Sequence, residues 1–168
     1  MAQVTFKGSP KNLVGPQLKA GDAAPEFECV AGLEIVKLAD TPKSTRLFNV
    51  VPSLDTPVCS KQTKRFNDEL NSLKDKVTAY TVSLDLPFAQ GRFCGAENIT
   101  NLKNLSDVRN HSFGKNYGVL LDGLPIPLLT RAIFVVDKNN KVTYCEYVSE
   151  VTNEPNYDKA LAALKAAV

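Results

Sequence analysis

Residues 47–59 read LFNVVPSLDTPVC: a mostly apolar run is followed by a segment with two prolines and several polar residues. The apolar run at 47–51 is typical of a buried strand. Thr56 is a favourable N-cap and Pro57 suits the first helical position, so a helix is predicted to begin there. This places Cys59 in the first turn, where backbone N–H groups lack partners and the helix dipole is positive. A thiol in that position is biased toward the thiolate, the form that does chemistry.

This segment opens a strand–helix–strand unit. We predict a strand over residues 46–51, a helix over 57–74 with apolar residues at helical spacing, and a strand over 77–85. A unit of this length makes its two strands parallel, with a right-handed crossover.

Weaker patterns surround that unit. The N-terminal residues predict a hairpin, and the last third predicts a second hairpin followed by a helix. The remaining predicted elements are strands at 4–7, 12–14, 34–38, 104–108, 132–136 and 141–148, and helices at 88–97, 110–117 and 157–167. This order predicts an α/β fold, a three-layer sandwich compatible with a thioredoxin-like core, with an N-terminal β-hairpin extension. Residues 1–168 are predicted to form a single domain.

Composition excludes several classes of function. The formal net charge is +2 and no basic block is interleaved with aromatic residues, so no nucleic-acid partner is expected. No apolar stretch approaches the roughly 18 residues needed to cross a bilayer, so no membrane partner is expected either. The first eight residues, MAQVTFKG, lack the apolar core of a secretory signal, and we therefore expect a cytoplasmic protein.

The four cysteines indicate redox chemistry rather than structural bridges. Cytosolic thiols are normally kept reduced, and bridges that form there are usually catalytic or redox-sensing. A metal site is not expected, because the chain has no Cys-x-x-Cys pair and one histidine. Cys94, in a Gly-rich polar stretch, looks like the resolving partner of a nucleophilic Cys59. Cys145 and Cys29 are interpreted as structural, although an exposed, oxidisable Cys29 stays open.

A fast reaction at a thiolate also needs donors aimed at the charge that develops in the transition state. Arg131 is the best candidate for a charged donor, because it stands just before the predicted strand 132–136. From the residues alone, however, a solvated loop arginine is the favoured interpretation, since most arginines are exposed.

Three segments resemble the peroxiredoxin family. The pattern Pro52-x-x-x-Thr56-x-x-Cys59 resembles its active-site motif, and residues 21–27, GDAAPEF, resemble its entry segment. Residues 83–97, SLDLPFAQGRFCGAE, are similar to the atypical two-cysteine branch of that family. The similarity runs through nearly the whole chain.

The resemblance implies a role for each motif residue. Cys59 would attack hydrogen peroxide and alkyl hydroperoxides and become a sulfenate. Pro52 would shield it from water, Thr56 would hydrogen-bond the thiolate and the peroxide, and Arg131 would stabilise the thiolate and bind the peroxide. Cys94 would resolve the sulfenate as an intramolecular disulfide, which thioredoxin would reduce. The family also implies a homodimer and no bound cofactor.

Three other functions are weighed against this one. A thiol–disulfide oxidoreductase usually carries a second cysteine at the position of Gln62. A cysteine hydrolase would have to use His111, the one histidine. A redox sensor using the same Cys59–Cys94 switch without turnover needs the same thiolate, so the sequence leaves it open.

Disulfide formation has a mechanical consequence. The Cα atoms of the two cysteines must come within about 7 Å. We therefore predict that oxidation unwinds the start of the Cys59 helix and rearranges the Cys94 segment. Gly91 and Gly95, on either side of Cys94, would lower the cost of that rearrangement.

Overall fold

The computed structural model describes residues 2–168, which form ten strands and four α-helices. The strands are β1 Gln3–Phe6, β2 Ser9–Val14, β3 Glu28–Ala31, β4 Glu34–Lys37, β5 Thr45–Val50, β6 Val77–Ser83, β7 Leu102–Ser106, β8 Leu120–Leu121, β9 Ala132–Val136 and β10 Val142–Tyr147. The helices are α1 Pro57–Glu69, α2 Pro87–Ala96, α3 Ser112–Asn116 and α4 Tyr157–Ala166.

Seven strands form one sheet in the order β10-β9-β5-β6-β7-β3-β4. β5, β6 and β7 are parallel to one another, which confirms the predicted strand–helix–strand unit. β9 and β10 form the predicted hairpin, and β9 pairs antiparallel with β5. The N-terminal hairpin β1–β2 is also confirmed, and β8 joins it as a third strand of a smaller sheet. The sequence did not predict β3.

The central sheet is covered on both faces. Successive residues of β5 point to opposite sides, as strand geometry requires: Leu47 packs with Phe66 of α1, and Phe48 packs with Phe113 of α3. Leu164 of α4 joins the α1 side. This arrangement confirms the predicted three-layer sandwich.

Two helices are shorter than predicted. α1 ends at Glu69 and continues as a 3₁₀ turn, Leu70–Ser72, a common way to tighten the end of a helix. α3 begins at Ser112 because His111 has a left-handed backbone, φ +58°, which cannot lie inside a right-handed helix. Among residues 2–168, no helix is long and apolar enough to cross a membrane.

The pairing of β5 with β9 determines where the site forms. Val50, the last residue of β5, lies opposite Ala132, the first residue of β9. The loop that leaves β5 toward Cys59 therefore emerges beside the residue that enters β9, which is Arg131.

Candidate active site

The loop between β5 and α1 is held by an aspartate from the neighbouring strand end. Asp85 accepts hydrogen bonds from the Ser53 hydroxyl at 2.7 Å and from the Leu54 N–H at 2.8 Å. α1 then begins at Pro57, as predicted, which makes Cys59 its third residue. Asp85 is therefore a turn-forming residue that fixes the approach of the chain to the cysteine.

Thr56 occupies the N-cap position but does not cap the helix with its side chain. Its hydroxyl instead donates to the carbonyl oxygen of Ser53 at 2.8 Å. Thr56 is therefore the N-cap residue, as predicted, but without a side-chain capping bond, because the tight turn at 53–56 offers the hydroxyl another acceptor.

The Cys59 side chain is fully buried in an apolar cluster with Val51 and Leu54, and Phe93 packs against that cluster. One charged group reaches the sulfur: Nη1 of Arg131 donates to Cys59 Sγ at 3.4 Å. The guanidinium therefore places a fixed positive charge beside a sulfur that apolar side chains surround.

Arg131 is buried, with 2% of its surface exposed, and is fixed by two acceptors in addition to the sulfur. Its Nε donates to the carbonyl oxygen of Val151 at 2.8 Å, and its Nη1 donates to Oε1 of Gln62 at 2.9 Å. The solvated loop arginine favoured from the residues alone is therefore wrong. The antiparallel pairing of β5 and β9 carries Arg131 into the interior beside Val51.

Gln62 is held in turn by a fully buried polar network that the sequence analysis missed. Its amide nitrogen donates to Oδ1 of Asn49 on β5. Asn49 donates to the hydroxyls of Thr63 at 3.0 Å and Thr81 at 3.3 Å. This arrangement turns the Gln62 oxygen toward Arg131. Two signals could have found the network: Asn49 interrupts an apolar run, and Gln62 lies one helical turn after Cys59.

A cavity of about 280 Å³ lies at the start of α1, where Arg131, which contacts Cys59, forms part of its wall. It brings together three predicted site residues: Pro52, which is buried, the exposed Thr56, and Arg131. Its other walls come from the start of α1, the tip of the N-terminal hairpin and the chain after β10. Those residues are Phe6, Lys7, Pro57, Val58, Val151 and Thr152.

Cys94 lies apart from this group, in the last turn of α2. It is half-buried in the other packing cluster on the α1 and α4 side of the sheet. Nδ2 of Asn104 donates to its sulfur at 3.2 Å. Burial raises the pKa of the Cys94 thiol, and the Asn104 hydrogen bond offsets part of that rise. Cys59 and Cys94 are both free thiols in the structure.

Comparison with known proteins decides the family. Residues 19–161 match the Redoxin family model. A thiol peroxidase of Bacillus subtilis (strain 168) is 51% identical over 169 aligned residues, covering all of this chain and 99% of the relative. A thiol peroxidase of Staphylococcus aureus is 48% identical, covering 98% of this chain and 99% of the relative. The chain belongs to the Redoxin family, in its thiol peroxidase branch.

Solved structures of this family agree with the fold. A peroxiredoxin-like protein from Aquifex aeolicus superposes with a TM-score of 0.92 at 42% identity, covering all of this chain and 98% of its own. A thiol peroxidase from Chromobacterium violaceum superposes with a TM-score of 0.86, covering 98% of this chain and 95% of its own; at 22% identity it supports the fold alone. The thioredoxin-like fold class predicted from the sequence is confirmed.

The other candidate residues lie outside this peroxiredoxin site. Cys29 is fully buried, with its Sγ 3.7 Å from Oδ1 of Asp107, and burial raises the pKa of its thiol. The alternative that Cys29 is exposed and oxidisable is therefore wrong. The half-buried Cys145 donates to the carbonyl oxygen of Leu18. Arg131, not His111, is the basic side chain that contacts Cys59. Residues 2–168 contain no cluster of three or more candidate metal ligands.

Proposed function

We infer that this chain is a thiol-dependent peroxidase that reduces hydrogen peroxide and alkyl hydroperoxides at Cys59. The contact between Arg131 Nη1 and Cys59 Sγ, at 3.4 Å, carries the inference. It pairs a sulfur in the first turn of a helix with a fixed positive charge, in a chain whose relatives are thiol peroxidases. Those names favour an enzyme over a sensor that does not turn over.

In the first step, the Cys59 thiolate attacks one oxygen of the hydroperoxide. An S–O bond forms and the O–O bond breaks, so sulfur is oxidised to sulfenic acid while the peroxide is reduced to an alcohol or water. The leaving oxygen takes up a proton. Arg131 favours this step because its charge lies where negative charge moves from sulfur to oxygen. Its bonds to Val151 and Gln62 remove the cost of orienting it during the reaction.

Pro52 and Thr56 are proposed to shape the entrance. Both line the cavity that Arg131 also lines. Pro52 lacks a backbone N–H and covers one wall with apolar surface, which keeps water from competing with peroxide. The Thr56 hydroxyl donates to Ser53 and keeps its lone pairs as acceptors, so it can receive a hydrogen bond from the peroxide O–H.

Cys94 is proposed to resolve the sulfenic acid. Its thiol displaces the sulfenic oxygen as water and forms the Cys59–Cys94 disulfide, and the dithiol of thioredoxin then reduces that bond. The two sulfurs belong to separate packing clusters, so this step requires movement of α2 relative to α1. Resolution also protects the enzyme, because an unresolved sulfenate can oxidise further to sulfinate.

Three further properties are proposed: a single domain over residues 1–168, a cytoplasmic location and, on the family resemblance, a homodimer. Sedimentation velocity tests the dimer, and a monomer at micromolar concentration would contradict it.

The test of function is NADPH consumption with hydroperoxide, thioredoxin and thioredoxin reductase. We expect Cys59→Ser to lower the rate by more than about a thousandfold, because it removes the nucleophile. Cys94→Ser should allow one stoichiometric oxidation without sustained cycling. The matched control is Cys145→Ser, which replaces another half-buried thiol and should leave turnover intact. Stoichiometric oxidation of the wild type without turnover would favour the sensor.

A further inference from the structure

Phe93 occupies the boundary between the surroundings of the two cysteines. Its half-buried ring packs against the cluster of Val51, Leu54 and Cys59. It also packs against the cluster that contains Cys94, its neighbour in sequence. Phe93 therefore contacts both packing regions that must rearrange before the sulfurs can meet.

The other attachments between α2 and the Cys59 region are weak. Arg92 approaches Asp55 at 3.8 Å, with both side chains more than two-thirds exposed. Lys64 pairs with Glu97 at 2.9 Å, with both side chains more than one-third exposed. Solvated ion pairs of this kind contribute little to stability. The ring of Phe93, by contrast, makes an apolar, half-buried contact between the end of α2 and the Cys59 cluster.

Oxidation of Cys59 changes the fit of that ring. The sulfur is fully buried, and sulfenic acid adds an oxygen atom to it in the same space. Extra atoms in a packed cluster force the surrounding side chains to move. On the Arg131 side, the wall is braced by hydrogen bonds to Gln62 and Val151. On the α2 side, the wall is the half-buried ring of Phe93, and the one fully buried residue of that helix is Gln90. The α2 side is therefore the more loosely held of the two.

We propose that Phe93 is a positioning residue for the resolving step: its ring closes the Cys59 pocket in the thiol state and is displaced when the sulfur is oxidised. Its displacement frees the last turn of α2, so that the Cys94 thiol reaches the Cys59 sulfenic acid. The S–S bond then forms, the S–O bond breaks, and the oxygen leaves as water with the thiol proton. This inference rests on the proposed function, specifically on Cys94 as the resolving thiol.

The experiment mixes reduced enzyme with one equivalent of hydrogen peroxide, quenches with acid at millisecond intervals, and separates sulfenic acid, disulfide and sulfinic acid by mass. We expect Phe93→Ala to form the disulfide about tenfold faster than the wild type, because the contact holding α2 is lost. Sulfinic acid at excess peroxide should fall in parallel. Phe88→Ala is the matched control: it truncates a phenylalanine of the same helix that is 71% exposed, and should match the wild type.

Hydrogen exchange gives a readout that does not depend on activity. In the reduced Phe93→Ala enzyme, amides of residues 87–96 should exchange faster, approaching the level of oxidised wild type. Phe93→Leu, which retains apolar contact, should lie close to the wild type and shows that the position tolerates substitution. Disulfide formation at the wild-type rate or slower in Phe93→Ala would overturn the proposal. A wild type that forms no Cys59–Cys94 disulfide at all would instead overturn the resolving role of Cys94.

Discussion

The two cysteines proposed to be catalytic lie on helices that are anchored very differently. α1, which carries Cys59, buries five of its residues and is linked to β5 and Arg131 through Gln62. α2, which carries Cys94, buries only Gln90. Attack on peroxide needs groups held in place before the reaction, whereas resolution needs a sulfur that can travel. The difference in anchoring suits the two cysteines to these separate, proposed tasks.

The glycines sharpen this contrast. Gly91 and Gly95 lie inside α2, and a Cβ added at either would meet no atom within 4 Å. Their lack of a side chain is therefore not required for packing. Each instead lowers the stability of the helix, which makes α2 easier to unwind.

The largest effect is expected from removing the positive charge of Arg131 beside Cys59. Arg131→Met should lower the second-order rate of Cys59 oxidation by about a hundredfold or more, because a preorganised charged donor is lost. Arg131→Lys should recover little, since one ammonium cannot reproduce the fork that bonds Val151, Gln62 and the sulfur. Rapid-mixing kinetics with hydrogen peroxide measure the rate. A loss below about threefold would contradict the role of Arg131 in the attack.

A smaller effect is expected from the group that orients Arg131. Gln62→Leu removes a buried acceptor and should slow Cys59 oxidation about tenfold while lowering the free energy of unfolding by about 1–3 kcal/mol. Gln62→Met keeps the length of the side chain but has no amide oxygen for the guanidinium, and it should slow oxidation about as much as Gln62→Leu. Peroxide kinetics and urea unfolding of both variants measure the two quantities. A wild-type rate of oxidation in Gln62→Met would show that packing, not the hydrogen bond, accounts for the effect.

The loosely held helix can be tested by stabilising it. Gly91→Ala and Gly95→Ala should each stabilise α2 by about 0.5–1 kcal/mol. Each should therefore slow disulfide formation by about two- to fivefold without changing the rate of Cys59 oxidation. Ala96→Gly, at the exposed end of the same helix, changes propensity in the opposite direction and should speed disulfide formation. An unchanged rate of disulfide formation in all three variants would show that unwinding of α2 does not limit resolution.

The smallest effect concerns the charge state of Cys94. Because burial raises its pKa, the folded state keeps the proton to higher pH than the unfolded state does. The contribution of the protonated Cys94 thiol to the free energy of unfolding is fully present below the ordinary thiol pKa of about 8.5. It is lost as the pH rises through the higher pKa of Cys94 in the folded state. Urea unfolding between pH 7 and pH 10 should therefore show a decline that Cys94→Ser reduces. The same decline in both proteins would show that ionisation of Cys94 does not contribute to the pH dependence of stability.

Local patterns predicted most of the fold. The apolar run before Pro52, the Thr-Pro start of α1 and the turn at residues 137–140 each depend on neighbouring residues, and each element formed where expected. β3 escaped notice although its main partner is local, since all four of its residues pair with β4 and only Val30 pairs with β7. A strand of four residues is too short for an alternating pattern to stand out.

The site was predictable in its residues but not in its connections. Cys59, Pro52 and Thr56 lie in one local motif, whereas the burial of Arg131 results from pairing between strands far apart in sequence. In the sequence, Gln62 was noted only because a thiol–disulfide oxidoreductase would carry its second cysteine at that position. Its function depends on Asn49, which belongs to another element and faces it across the interior.

The distance in sequence between Cys59 and Arg131 has a consequence during synthesis. They are 72 positions apart, and β9 must add beside β5 before they meet. A ribosome releases the N-terminal part first, so a half-made chain carries Cys59 without the guanidinium that contacts it in the finished fold. On the proposed role of Arg131, full reactivity toward peroxide arrives only with the completed sheet.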